Sequence, residues 1–319
     1  MKTGILLLNL GGPDTLDAVR PFLTRLFTDR EIICLPGGAI GQAFIGRVIA
    51  RKRTQEVREN YARIGGGSPI VRWTTLQGRG IVERLRERGH DVAFAMAMRY
   101  WNPSTEEALV ELERAGVGRL VALTLYPHYS MATTGSSVGE LLRVMKRRGT
   151  KQPLDRIDTW YDHPGYLNAW ALRVQEALAR FAPAARPTLL VSAHGLPKHF
   201  IEAGDLYCEH VRITMEGVLA RLPELPHVLG YQSRVGPVEW IGPSTDEVIR
   251  ALARTGVKDV LVLPISFVSD HIETLYEIDM LYADQARALG ISNFRRVESL
   301  NDFPPFLDAL ADLVEPKLG

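Results

Sequence analysis

Two segments of this sequence repeat one design at a distance of 140 residues. One is "STEEALVELERAGVGRLVALTLYP", which begins at Ser104, and the other is "STDEVIRALARTGVKDVLVLPIS", which begins at Ser244. In each, Ser-Thr followed by acids is typical of a helix N-cap, a glycine follows the last apolar position, and an apolar run comes next. A capped helix that leads into a continuous apolar strand indicates a parallel sheet covered on both faces. We therefore predict two similarly wound α/β halves.

Apolar runs suited to buried strands alternate with segments of charged, helix-like periodicity along the whole chain. The predicted strands lie within 4–11, 91–100, 119–127, 156–162, 187–195, 227–234, 259–267 and 293–300. We expect an N-terminal α/β domain at 1–162 and a C-terminal α/β domain at 163–302, with a final helix at 303–319 that packs back on the first domain. Each domain is predicted to be a parallel sheet flanked by helices.

The composition narrows the class of protein. Of 319 residues, 38 are Lys or Arg and 37 are Asp or Glu, so bulk charge gives no argument for nucleic-acid binding. The N-terminal apolar run is only about six residues long, too short for a secretory signal or a membrane span. Cys34 and Cys208 have no metal-ligand spacing, so we expect two reduced, half-buried thiols in a cytoplasmic protein.

Many of the residues that follow the predicted strands have side chains that can bind a ligand or take part in catalysis. Ligands of doubly wound sheets bind beyond the carboxyl ends of the strands. A mixture of aromatic, basic, imidazole and hydroxyl groups at that edge suits a large flat ligand with peripheral anions and a polar centre. "LNLGGPDT" and "RIGGGSPI" lack the remaining residues of dinucleotide and phosphate-loop motifs, so nucleotide binding is weakly supported. The strand-end residues are Arg99, Tyr100, Trp101, Tyr126, His128, Tyr129, Ser130, Ser192, His194, Tyr231, Gln232, Arg234 and Trp240.

The stretch "SFVSDHIETLYEID" places acids directly after the seventh predicted strand. In an α-helix, Glu273 and Glu277 would lie about 40° apart around the axis, and Asp284 about 20° from the line of Glu273. Two interpretations stay open. The carboxylates form a stripe that binds a hard cation or passes protons, or they are a solvated face that complements the helix dipole. By pattern alone, a lone histidine after a strand, such as His194, is more often a structural histidine than a functional one.

Six blocks follow one another along the chain: "LNLGGPDT", "RIGGGSPI", "YPHYSMATTGSS", "SAHGLP", "YQSRVGPVEWIGPSTDE" and "FVSDHIETLYEID". Together, and in this order, they resemble the ferrochelatases, enzymes that insert ferrous iron into a porphyrin. The resemblance covers essentially the whole chain. It implies two similar Rossmann-like, chelatase-type domains with the active-site cleft between them. The N-terminal domain would carry an apolar lip, "LPGGAIGQAFIGRVIARKR", and the C-terminal domain would carry His194 and Glu273.

The resemblance also implies roles for individual residues. His194 would be the essential histidine that binds metal or accepts pyrrole protons, and Glu273 would be its partner and a second metal contact. Glu277 would continue an acidic path. Arg53 and Ser68 fall where related enzymes hold porphyrin propionates. The full set of implied substrate-binding residues is Arg53, Ser68, Arg99, Tyr100, Tyr126, Tyr129 and Trp240.

The sequence departs from some members of the family. Leu281 stands where some relatives have a third acid, and Glu56 stands where some have a propionate-binding lysine. Met131 occupies the position of a cysteine in relatives with an iron-sulfur cluster, so we expect no cluster and no tightly bound cofactor, with Fe²⁺ as a substrate. Leu10 replaces a tyrosine that marks coproporphyrin-using relatives, which favours protoporphyrin IX.

The resemblance thus implies a lyase that makes protohaem from protoporphyrin IX and ferrous iron, with release of two protons, as the last step of haem biosynthesis. The alternatives are a coproporphyrin III or other tetrapyrrole chelatase, and a haem or metal carrier without turnover. The implied partners are porphyrin, ferrous iron and neighbouring haem-pathway enzymes, and no nucleic acid. Residues 37–49 either contact the inner face of the membrane or line the mouth of the pocket.

Overall fold

The computed structural model describes residues 1–33, 35–233, 236 and 238–318, so Cys34 and Arg234 lie outside the described residues. The chain divides into two compact units. The first comprises Met1–Trp160 with Leu307–Gly319, and the second comprises Tyr161–Phe306. The domain limits expected from the sequence, 1–162 and 163–302, remain a prediction.

The first unit contains a four-stranded parallel sheet in the order β2-β1-β3-β4. Every residue of the central strand β1 is buried, as expected for a strand covered on both faces. Leu6 and Leu8 of that strand pack with Leu109 and Leu112 of a flanking helix. The strands are β1 (Thr3–Asn9), β2 (Val92–Met98), β3 (Arg119–Thr124) and β4 (Leu154–Ile157).

Helices connect and flank these strands. Each of the three connections between consecutive strands is long enough to carry the chain back along the sheet, as parallel pairing requires. The helices are α1 (Val19–Phe27), α2 (Gly38–Arg63), α3 (Ile70–Glu87), α4 (Thr105–Arg114), the π-helix Met131–Gly135 and α5 (Ser136–Arg148).

The fourth strand is shorter and earlier than predicted, Leu154–Ile157 instead of a strand within 156–162. After Ile157 the backbone leaves the sheet, because the Thr124 hydroxyl contacts the carbonyl oxygens of Ile157 and Asp158 at 3.3 and 3.2 Å. The indole of Trp160 donates to the Thr124 carbonyl at 2.8 Å. The apolar residues after Ile157 are therefore buried by side-chain packing and not by strand pairing.

The second unit repeats the arrangement with a parallel sheet in the order β6-β5-β7-β8. Its strands are β5 (Thr188–His194), β6 (His227–Gln232), β7 (Asp259–Leu263) and β8 (Asn293–Arg296). Its helices are α6 (Pro164–Leu178), α7 (Lys198–Glu202), α8 (Tyr207–Leu219), α9 (Thr245–Arg254), the π-helix Glu273–Tyr282 and α10 (Ala283–Ala288).

The two repeated sequence segments form equivalent parts of the two units. Ser104 and Ser244 cap α4 and α9, and each makes a reciprocal capping box with the glutamate three residues later, Glu107 and Glu247. Each capped helix leads into the strand beside the central one, and each of these strands, β3 and β7, is followed by a π-helix. The predicted duplication of architecture is confirmed.

The last helix, α11 (Pro304–Val314), crosses the boundary between the units, and its larger part belongs to the first. Within the first unit, α3 holds it by ion pairs. Arg88 contacts Asp312 and Glu315 at 2.8 Å each, and Arg84 pairs with Asp308. A short 3₁₀ turn, Glu315–Lys317, follows. None of the helices in the described part of the chain combines the length and the apolarity of a membrane-crossing helix.

Candidate active site

The second unit brings His194 and Glu273 together at the carboxyl edge of its sheet. His194 is the last residue of β5, and Glu273 is the first residue of the π-helix that follows β7. The Nδ1 atom of His194 lies 2.8 Å from Glu273 Oε2. The imidazole is 38% exposed and the glutamate side chain 18%, so the pair is sheltered but reachable. The local sequence gave no hint of this contact, because the two residues are 79 positions apart.

A buried ion-pair network anchors the start of the π-helix. The Asp270 carboxylate accepts from the Thr274 hydroxyl at 3.0 Å, from Ser299 at 2.7 Å and from the Asn301 amide at 2.8 Å. Arg296 lies 3.0 Å from the same carboxylate. These contacts restrain the Asp270 side chain. Because Asp270 lies three residues before Glu273, they also restrain the backbone at the start of the π-helix.

Glu277 is connected to Glu273 through Ser233. The Ser233 hydroxyl lies 2.7 Å from Glu277 Oε2 and 3.1 Å from Glu273 Oε2. Gln232 approaches Glu277 Oε2 with its amide nitrogen at 3.3 Å, and its own carbonyl oxygen accepts from Ser192 at 2.7 Å. Ser233 has a φ of 68°, a left-handed conformation that is uncommon for residues other than glycine and that often marks functional sites.

The pKa values of Glu273 and Glu277 are shifted in opposite directions. Burial raises the pKa of Glu273, but the charge of His194, its hydrogen bond and the nearby His271 outweigh burial, so the pKa is lowered. Burial and the charge of Glu273 raise the pKa of Glu277 to about 7. Burial alone would lower the pKa of His194, yet the Glu273 carboxylate raises it overall. The site thus pairs an ionised carboxylate with a proton-accepting imidazole and a carboxyl group that titrates near neutrality.

The acidic stripe differs from the helical prediction. Residues 273–282 form a π-helix, which needs more residues for each turn than an α-helix, so the expected alignment of Asp284 with Glu273 is wrong. The Asp284 side chain is 74% exposed and pairs with Arg287 at 2.7 Å. Leu281 is also exposed. Glu277 is partly buried and bonded within the site, which contradicts the interpretation of this residue as part of a solvated face.

Aromatic side chains enclose the histidine. The Phe267 ring lies edge-on to His194 at 5.9 Å between centroids, and it lies 4.4 Å from the His271 ring. Burial lowers the pKa of His271 below its ordinary value. Trp240 pairs with Pro197 through the backbone, and its ring lies against Gly195, where a Cβ atom would sit 3.2 Å from the indole. A side chain at residue 195 would therefore press on Trp240.

In the first unit, Arg99 and Tyr100 follow β2 and meet a carboxylate that the sequence reasoning missed. Asp29 accepts from the Tyr100 hydroxyl at 2.8 Å and also pairs with Arg99. Arg99 further contacts Ser136 at 2.9 Å and Glu31 at 3.3 Å. The guanidinium charge is therefore largely balanced within this unit. Burial raises the pKa of Tyr100 above its ordinary value, so the phenol keeps its proton.

The other predicted contacts of the first unit lie on its loops and helices. The Tyr126 hydroxyl is 3.3 Å from Ser137, and Tyr129 is half-buried near Gly135. The Arg53 guanidinium lies 6.0 Å from the centre of the Phe27 ring. The two glycine-rich loops pack together: the Ser68 amide donates to the Pro13 carbonyl at 2.7 Å, and a Cβ atom on Gly12 would meet the Ser68 hydroxyl at 2.6 Å.

Some functional residues were not identified from the sequence. Ser136 and Ser233 lie within two of the six blocks but were not singled out there, and Asp29 lies in none of them; the contacts that the fold gives these residues distinguish them. Two protein ligands, His194 and Glu273, could contact a metal ion together. The described residues contain no cluster of three or more His, Cys, Asp or Glu side chains arranged to hold one. The roles assigned to the individual site residues stay predictions.

Comparison with known proteins agrees with the sequence resemblance. The family described as Ferrochelatase matches residues 2–318. A ferrochelatase of Geotalea uraniireducens (strain Rf4) is 50% identical over 313 residues, which cover 98% of this chain and 97% of the relative. A ferrochelatase of Geotalea daltonii (strain DSM 22248 / JCM 15807 / FRC-32) is 48% identical over 318 residues, covering 100% of this chain and 98% of the relative.

A solved structure supports the fold. SirB from Bacillus subtilis with Fe³⁺ matches with a TM-score of 0.59 and 11% identity, covering 100% of this chain and 96% of that chain. At this identity the likeness concerns the fold alone. Together with the two parallel four-stranded sheets, it confirms the prediction of two Rossmann-like, chelatase-type domains.

Proposed function

We propose that this chain, which belongs to the ferrochelatase family, uses protoporphyrin IX as its porphyrin and His194 and Glu273 as the centre of its chemistry. It is a metal chelatase that inserts ferrous iron into a porphyrin. The coproporphyrin and carrier alternatives are tested below.

The contact between His194 Nδ1 and Glu273 Oε2 at 2.8 Å carries the proposal for the site. A porphyrin must lose two N–H protons as iron enters, so the reaction needs a base with a pKa near the ambient pH. Histidine is the side chain suited to this role, and the ionised Glu273 beside His194 raises the pKa of the imidazole and stabilises its imidazolium form. Because Nδ1 faces Glu273, the opposite nitrogen, Nε2, faces the incoming proton.

Glu273 and Glu277 then have different tasks. The lowered pKa of Glu273 keeps an anionic oxygen available to contact Fe²⁺, a cation that accepts oxygen and nitrogen ligands. Glu277, whose pKa is raised to about 7, can take up a proton at neutral pH. The Ser233 hydroxyl contacts both carboxylates, so it can relay a proton toward Glu277 while Glu273 stays ionised.

Residues of both units are proposed to bind the porphyrin. Arg53 and Ser68 would hold the propionates by charge and hydrogen bonding. Tyr126, Tyr129 and Trp240 would supply aromatic surface for the flat ring. Arg99 and Tyr100 already bind Asp29, so we expect them to act on the substrate as one hydrogen-bonded group with that carboxylate.

The choice of protoporphyrin IX rests on Leu10, an apolar residue directly after β1. Coproporphyrin carries two further propionates, for which an apolar side chain offers no hydrogen bond. We further propose a lyase of the cytoplasm without a resident cofactor or iron-sulfur cluster, which receives its porphyrin from the preceding enzyme of the pathway.

Peripheral membrane contact through residues 37–49 is part of the proposal. Ile40, Phe44 and Val48 are 86%, 69% and 39% exposed, and they follow one another at four-residue steps along α2. Residues spaced in this way share one face of a helix. Arg47, Arg51 and Lys52 are also exposed nearby, and basic groups strengthen the binding of an apolar helix face to anionic lipid.

Metal insertion into protoporphyrin IX tests the function directly, with zinc as a fluorescent substitute for iron. We expect turnover by the wild-type chain. His194→Ala should fold and bind porphyrin but lose activity by a factor of about 10³ or more, since it removes the base and its hydrogen bond. Porphyrin binding without metallation by the wild type would favour a carrier, and full activity of His194→Ala would overturn the assigned site.

A further inference from the structure

The backbone of His194 lies where β5 loses its neighbouring strand. Strand β7 ends at Leu263, and Pro264 follows, which has no N–H group to continue the ladder. The Ile265 amide makes a last bond to the Ser192 carbonyl at 3.1 Å. In a strand, the N–H and C=O groups of residues two positions apart point to the same side. Ser192 points toward the β7 side, so the N–H and C=O groups of His194 also point to that side, beyond the end of β7.

Two hydroxyl groups occupy that position. The His194 amide donates to the Ser266 hydroxyl oxygen at 3.2 Å, and the His194 carbonyl accepts from the Tyr207 hydroxyl at 3.0 Å. The two hydroxyls are 2.6 Å apart. Tyr207 begins α8, is only 7% exposed, and thus reaches His194 from a different element than Ser266 does.

The chemistry of the groups fixes the direction of each bond. A carbonyl oxygen can only accept, so the single hydroxyl proton of Tyr207 goes to His194. The proton between the two hydroxyls must then come from Ser266, which in turn accepts from the His194 amide. The result is a closed ring of three hydrogen bonds. Burial raises the pKa of Tyr207, which keeps its proton in place at any working pH.

We propose that Tyr207 and Ser266 are positioning residues that fix His194 for proton transfer; this inference rests on the proposed function of the site. The ring holds both peptide groups of a residue whose side chain must meet Glu273 on one nitrogen and substrate on the other. Phe267, directly after Ser266, places its ring edge-on to the imidazole at 5.9 Å between centroids, so one short segment approaches both the backbone and the ring of His194.

Tyr207→Phe tests the proposal, because it removes one hydroxyl and keeps the buried ring. We expect kcat for metal insertion to fall by about tenfold to a hundredfold, the range seen when outer partners of a functional histidine are removed. The KM for porphyrin should change by less than about twofold, because the variant alters the orientation of the base and not the binding surface.

Tyr61→Phe is the matched control. Tyr61 is 4% exposed, similar to Tyr207, and lies on α2 of the first unit. We expect wild-type kcat from this variant. Equal losses of kcat in the two phenylalanine variants would overturn the proposal, since the effect would then be general to a lost buried hydroxyl. Wild-type kcat in Tyr207→Phe would overturn it as well.

Ser266 supplies an independent test should Tyr207→Phe fail to fold. Ser266→Ala opens the ring and should lower kcat, whereas Ser266→Thr keeps a hydroxyl and should retain most of the activity. The double variant Tyr207→Phe/Ser266→Ala should lose little more than either single one, because both break the same ring. Equal activity of Ser266→Ala and Ser266→Thr would contradict the proposal. An inactive wild type would instead refute the proposed function itself.

Discussion

At the scale of single residues, the site depends on side chains that each make two contacts. Ser233 reaches both Glu273 and Glu277, and Asp29 reaches both Arg99 and Tyr100. A residue with one partner can be replaced at modest cost, whereas a residue that joins two groups sets the distance between them. These joining residues deserve mutation before the more obvious aromatic ones.

Leu10 gives a prediction about substrate choice. Leu10→Tyr adds a hydroxyl that can donate to a propionate of coproporphyrin, and a hydrogen bond to a charged group contributes about 1.5–3 kcal/mol. We expect the ratio of kcat/KM for protoporphyrin IX over coproporphyrin III to fall by about tenfold or more. Both porphyrins would be assayed side by side with each variant.

Leu10→Phe is the control for that experiment, because it adds the ring without the hydroxyl. It should leave the preference for protoporphyrin IX in place. If the wild type already prefers coproporphyrin III, the proposed substrate is wrong, and if Leu10→Tyr leaves the ratio unchanged, Leu10 is not its determinant.

At the scale of elements, the π-helix Glu273–Tyr282 is the least predictable part of the second unit. Its sequence reads as the start of an α-helix, and the α-helical spacing aligned Asp284 with Glu273. With the wider π-helical turn, Asp284 lies on the surface, where it pairs with Arg287, and Glu277 remains in contact with Ser233. Such turns are frequent at functional sites, because tertiary contacts compensate for their poorer backbone geometry.

The exposed face of α2 supports a prediction about membranes. The double variant Ile40→Ser/Phe44→Ser should bind vesicles of mixed neutral and anionic phospholipid several-fold more weakly than the wild type, because two large apolar side chains no longer enter the lipid interface. Co-sedimentation with the vesicles measures this.

Leu142→Ser serves as the control for vesicle binding, since Leu142 is 46% exposed but lies on α5. It should bind as the wild type does. The membrane prediction is wrong if the wild type does not bind vesicles, or if the wild type, the double variant and Leu142→Ser bind equally. Residues 37–49 would then only line the mouth of the pocket.

At the scale of the whole molecule, the buried charges link stability to pH. The pKa of Glu277 is raised to about 7 in the folded chain, whereas the unfolded chain releases this proton near the ordinary value of 4.5. Between these values the folded state binds more protons, so the free energy of unfolding falls as pH rises through this window. Glu273 has the opposite effect on stability, because its pKa is lowered in the folded chain. Its contribution is lost as the pH falls below the ordinary value of 4.5.

Glu277→Gln should therefore flatten the pH dependence of stability between about pH 5 and 7.5, and should stabilise the protein at pH 8 by on the order of 1–2 kcal/mol. Denaturant unfolding at a series of pH values measures the effect. Glu209→Gln, at an exposed residue paired with Arg212, should keep the wild-type pH profile. A Glu277→Gln profile that parallels the wild type would show that Glu277 is ionised throughout.

The sequence by itself determined the architecture of the two units. Ser104 and Ser244 with their glutamates specify helix starts through local hydrogen bonds, and continuous apolar runs specify buried parallel strands, because both signals act over a few residues. His194 and Glu273 were identified by resemblance. Their contact, 79 residues apart in the chain, the Ser233 link, the π-helical turn and the ring around the His194 backbone were decided only by the tertiary structure. Each depends on which groups the fold brings within hydrogen-bonding distance, and no local pattern encodes that distance.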